Sequence, residues 1–98
     1  MKSVRILGKT YSIHWVEKQQ FKYEDCGHCD YEKQEIAVVM GYHKEQERDT
    51  LLHEILHGIE HEMGLDLAEE EIRSLATGLY AVFMDNPDLL KYLKDADT

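Results

Sequence analysis

Two histidines four residues apart, with a glutamate after the first, stand at His53-Glu54-Ile55-Leu56-His57, which is the pattern H-E-x-x-H. On an α-helix, residues i and i+4 lie about 40° apart on one face and roughly 6 Å apart along the axis, so imidazoles at 53 and 57 reach one metal ion. Glu54 lies about 60° from His57 around the axis. A carboxylate there approaches a water on the metal without being a ligand. Two histidine ligands with a general base beside them form the zinc-hydrolase arrangement.

A catalytic zinc site takes three protein ligands and keeps one position open. His61 continues the row, but i to i+8 spans roughly 12 Å of helix rise, too far for bonds of about 2 Å to a single ion. A second helix offers Glu69, Glu70 and Glu71. With Glu71 at zero, Leu75, Gly78 and Val82 fall within about 40° of it, whereas Glu69 and Glu70 lie about 160° and 100° away. The apolar stripe is expected to face the core. A carboxylate on it is expensive unless it is paired or holds a metal. Glu71 is therefore the expected third ligand, giving one Zn2+ per chain on His53, His57 and Glu71, with Glu54 as base.

The run from His53-Glu54-x-x-His57 through a Gly-ended turn to Glu71-Ile72-Arg73-Ser74-Leu75-Ala76 resembles the gluzincin metallopeptidases. It is similar in particular to the minimal phage and prophage zincins of the ImmA/IrrE type. Ile72 and Leu75 stand where that type has Ala and Phe. The resemblance covers roughly residues 35–84 and implies zinc-dependent peptide hydrolysis, a protein or peptide substrate and a zincin-like fold. The metzincin and SprT-like pattern needs Gly and His where this chain has Glu60 and Met63, so that branch is rejected. The alternative to an enzyme is a non-catalytic, zinc-stabilised interaction module.

Other groups compete for chemistry. Cys26-Gly27-His28-Cys29 is identical to the tetrapeptide of protein disulfide isomerases. It lacks the following helix N-terminus that lowers a thiol pKa, and Asp25 and Asp30 disfavour a thiolate. The two cysteines read as loop thiols, with a second metal site alongside His28 or His14 as the other reading. Tyr31, Tyr42 and His61 are candidates to stabilise an oxyanion. Tyr80 lies about 180° from Glu71 and is expected to point away.

These residues need a scaffold. Val4–Leu7 and Tyr11–Val16 read as a hairpin around Gly8-Lys9-Thr10, with Tyr11, Ile13 and Trp15 on one face. Residues 17–34 read as a polar loop. Glu35–Met40 reads as a third strand, its edge open to an extended substrate. Leu52, Leu56, Ile59 and Met63 form the stripe of a helix over 44–63 ended by Gly64. Asp66 and Glu69 suggest a capping box for a second helix to about Asp85. Asn86-Pro87 starts a third helix ending near Asp95, and Asp95-Ala96-Asp97-Thr98 is a solvated tail. The expected fold is α+β: a small N-terminal sheet of about three strands over 1–43, then three helices over 44–95, in one domain spanning 1–98.

Composition agrees with this scheme. The 98 residues are 43% hydrophobic, enough for one small core. No apolar run reaches the ~18 residues of a membrane span, so no membrane partner is expected. Lys and Arg number 11 against 20 Asp and Glu, a net charge of −9. That argues against a nucleic-acid partner, which needs clustered cations, and suits a cation site. Two cysteines and no signal-peptide pattern suggest the cytoplasm.

Overall fold

The computed structural model describes residues 1–22 and 25–95. The fold is α+β, a four-stranded mixed sheet followed by three helices. β1 (Ser3–Ile6) and β2 (Lys9–Glu17) form an antiparallel hairpin. Leu7 and Gly8 take φ of 49° and 87°, which makes a two-residue turn of the type whose twist matches that of the strands. Lys9 and Thr10 therefore belong to the strand rather than the turn. A 3-10 turn at Lys18–Gln20 follows.

β3 (Gly27–Asp30) and β4 (Glu35–Met40) form a second antiparallel hairpin. β4 runs parallel to β2, so the order is β1-β2-β4-β3. Two expectations change. The segment read as a loop holds a fourth strand, and β4 lies inside the sheet with no open edge. Four residues that include His28 and Asp30 carry too little apolar alternation to announce a strand; pairing with β4 makes it one.

One face of the sheet carries the core. Tyr11, Ile36 and Val38 are fully buried with Ile6, Ile13 and Cys29, and Leu51, Ile55 and Ile59 of α1 (Lys44–Met63) pack against them. The row of α1 that packs on this core is thus Leu51-Ile55-Ile59, each partly buried; Leu52 and Leu56 are partly buried as well, and Met63 is exposed. A Cβ on Gly58 would meet the Ile6 Cδ1 at 2.6 Å, so the helix approaches β1 across a bare backbone. Tyr11 donates its hydroxyl to Glu62 Oε2 at 2.7 Å, which ties β2 to the last turn of α1. Trp15, on the same face as the buried Tyr11 and Ile13, is 37% exposed and donates to the Met1 carbonyl.

Gly64 ends α1 in the left-handed conformation with φ 67°, and the Leu65 N–H bonds back to the Glu60 carbonyl at 2.9 Å. α2 (Glu69–Asp85) buries Ile72 and Ala76 and packs on α1. Asn86 closes α2, its side chain donating to the Val82 carbonyl. Asp88 stands at the cap of α3 (Leu89–Lys94), two residues later than expected. Ala96, Asp97 and Thr98 of the expected tail, and positions 23 and 24 of the expected loop, lie outside the described residues.

The stripe Leu75-Leu79-Val82, expected in the core, is 48%, 37% and 45% exposed, while Ile72 is 0% exposed. Ile72→Ala is expected to lower stability by about 2–5 kcal/mol, and Leu75→Ala by well under half of that. Urea midpoints of the two variants check this. A larger loss for Leu75→Ala would contradict the helix phase.

Candidate metal centre

α1 and α2 bring three ligand atoms together. His53 Nε2 and His57 Nε2 are 3.2 Å apart. His53 Nε2 is 2.6 Å from Glu69 Oε1, and His57 Nε2 is 3.0 Å from Glu69 Oε2. The spacing of the two histidines projects both rings from one side of α1, edge to face with centroids 4.9 Å apart. Two ligand atoms each about 2.0–2.1 Å from a tetrahedral zinc stand about 3.3 Å apart, and the imidazole pair has this separation. Nitrogen and carboxylate donors in this number suit zinc. Among the described residues, these three form the group able to share one ion.

Glu71, expected as the third ligand, lies outside that group, and Glu69 takes the place. The reason is where α2 begins. Ala68 is the residue before the first turn, so Glu69 is first and Glu71 third. A glutamate at the third position folds back onto the cap, and Glu71 Oε1 accepts the Ala68 N–H at 2.9 Å. With Glu69 at zero, Ile72, Ala76 and Tyr80 lie within about 60°. The face that meets α1 is this narrow one. The phase was readable from the Ile72–Ala76 pair, but the more apolar Leu75–Val82 stripe outweighed it. Tyr80 is accordingly on the Glu69 side of the helix.

Glu54 is 5% exposed. A Cβ on Gly27 would stand 2.9 Å from Glu54 Oε2 and 2.7 Å from Thr50 Cγ2, so only a glycine in β3 lets strand and carboxylate come this close. Burial, with the Glu69 and Asp25 charges adding, pushes the Glu54 pKa up to about 8. Glu54 lines a cavity of about 470 Å³ together with His53, His57, Glu69, Tyr31 and Arg73. Tyr31 stacks on His61 with ring centroids 4.3 Å apart, and burial pushes its phenol up to about 12. Tyr42 lies elsewhere, under the Lys18 ammonium.

Both cysteines line this cavity: Cys26 lies in the bend before β3, as expected of a loop thiol, whereas Cys29 lies in β3. Cys29 is buried in β3, and burial, with Glu54 and Asp30 nearby, pushes its thiol up to about 12, so it stays protonated. Cys26 Sγ accepts from the Gln46 side chain at 3.3 Å.

No protein-family model matches the chain, and no curated protein or solved structure matches it.

The buried Glu54 makes metal-free stability depend on pH. The folded chain keeps its proton up to about pH 8, whereas the unfolded chain loses it near 4.5. The folded state binds more protons in that window, so stability falls as pH rises through it, by up to about 1.4 kcal/mol per pH unit. In chelator-treated protein, Glu54→Gln is expected to flatten this decline. Urea midpoints across the window check it, and parallel profiles for the two proteins would contradict it.

Proposed function

We propose that the chain is a minimal zinc-dependent metallopeptidase of the gluzincin type, with zinc held by His53, His57 and Glu69 and with Glu54 as general base. The observation that carries this reading is the convergence of three ligand atoms beside a buried carboxylate that lines the same cavity. A zinc ion supplies Lewis acidity toward a carbonyl oxygen and lowers the pKa of water toward 7. Glu54 takes the proton of the attacking water and passes it to the leaving amine. Tyr31 lines the same cavity and keeps its proton, which supports it as the donor to the oxyanion.

The sheet supports a peptide as substrate. β3 pairs only with β4 among the described strands, so no strand occupies its outer edge. The Val39 N–H bonds to the Cys26 carbonyl at 2.9 Å. In an antiparallel pair, hydrogen-bonded and non-bonded positions alternate, so Gly27 and Cys29 turn their backbone groups away from β4. An extended peptide added there runs past Glu54, against which Gly27 packs. The edge expected of β4 is thus replaced by that of β3.

Protein purified without added metal is expected to carry about one zinc per chain. It should cleave an unstructured protein substrate. Glu54→Gln should keep the zinc and lose about 10²–10⁴-fold in turnover. Elemental analysis and a cleavage assay on both proteins are the check. A zinc-loaded wild type without turnover would leave a zinc-stabilised interaction module as the function. Absence of zinc, with no uptake on addition, would end both readings.

A further inference from the structure

Glu60 lies one helical turn beyond His57, with its side chain only 14% exposed, and it makes two contacts at once. Oε1 is 3.3 Å from His57 Nδ1, and Oε2 accepts the Leu67 N–H at 2.7 Å. Leu67 sits in the turn between α1 and α2, two residues before Glu69. We infer that Glu60 is the positioning residue of the metal centre: one carboxylate fixes the tautomer of His57 and sets the α1–α2 turn that delivers Glu69. This rests on the zinc reading above and adds to it the group that holds two of the three ligands in place.

The argument is one of donors and acceptors. A carboxylate only accepts. At His57 Nδ1 it therefore favours the N–H there, and with an ion between Nε2 and Glu69 Oε2, which lie 3.0 Å apart, Nε2 would be the bare nitrogen that binds. A carboxylate behind a histidine ligand also raises the basicity of the ring. The second oxygen satisfies a backbone N–H that the turn leaves without a helical partner. The Leu65 N–H to the Glu60 carbonyl adds a third tie from the same residue to the same turn. His57 and Glu69 come from different helices, so their separation depends on that turn. Glu60 spans the two.

Glutamine at position 60 separates the two roles. Its carbonyl oxygen can take the Leu67 N–H, but its amide then turns N–H toward His57 Nδ1. That geometry favours the proton on Nε2, where it blocks the metal. The experiment measures zinc affinity of the full chain by competition with a chromogenic chelator. Amide exchange at Leu67 is followed in the zinc-free protein, and the His57 Nδ1 proton by NMR in the zinc-loaded protein.

Glu60→Gln is expected to weaken zinc about 10–100-fold, to lose the hydrogen-bonded Nδ1 proton signal, and to keep Leu67 protected with an unchanged zinc-free melting temperature. Glu60→Ala should weaken zinc at least as much and release the Leu67 amide to fast exchange. Zinc affinity within twofold of wild type in Glu60→Gln would overturn the inference, as would a Leu67 amide equally protected in Glu60→Ala. A wild type that takes up no zinc in the same titration would fail the zinc reading first and take this inference with it.

Discussion

The site depends on one helix serving two opposed faces. With Ile55 at zero, Leu51, Gly58 and Ile59 lie within about 60° and pack toward the sheet, while His53, His57 and Glu60 lie about 140–160° around. Glu54 falls about 100° from Ile55, on the flank that β3 covers. Helical geometry alone thus requires that, once the imidazoles face α2 and the aliphatic row faces β4, the intervening carboxylate is buried against the edge strand. Gly27 makes room for it, and Gly58 lets the helix settle on Ile6.

That arrangement concentrates negative charge. Glu54, Glu60 and Glu69 surround two imidazoles, in a chain that already carries a net −9. Burying carboxylates near one another is unfavourable without a compensating cation. Burial raises the pKa of Glu54 in the metal-free chain, and the Glu69 charge adds to it. A divalent ion between the helices would reverse the sign: each acidic group would then lie near a positive centre, and the His57–Glu60 contact would strengthen. The same ion would join α1 to α2, whose buried contact in this structure rests on a short row around Ile72 and Ala76.

Much of this was legible in the sequence, and the misreadings have physical causes. The α+β order, the first hairpin, the three helices and the pairing of His53 with His57 follow from local pattern, because periodicity and helix stops are local properties. β3 was not legible: a four-residue edge strand owes its existence to its partner and not to its own apolar content. The place of β4 inside the sheet was hidden for the same reason. Glu69 was displaced by Glu71 because Leu75, Leu79 and Val82 make the more apolar stripe, yet that stripe is exposed. Hydrophobic phase identifies the core-facing side of a helix only when that side is the more apolar one. In α2 the side that meets α1 is the less apolar one, with Glu69 at its N-terminal end and Ile72 and Ala76 as its buried residues.

The central claim is that zinc sits between His53, His57 and Glu69, and the dissociation constant of zinc for Glu69→Gln against Glu71→Gln tests it most directly. Both changes remove one negative charge, and glutamine at position 71 can still accept the Ala68 N–H as a capping residue. Glu69→Gln is expected to weaken zinc by about tenfold or more, since a neutral amide is a poorer ligand than a carboxylate. Glu71→Gln should stay close to the wild-type value. Loss of zinc in Glu71→Gln with retention in Glu69→Gln would contradict the account.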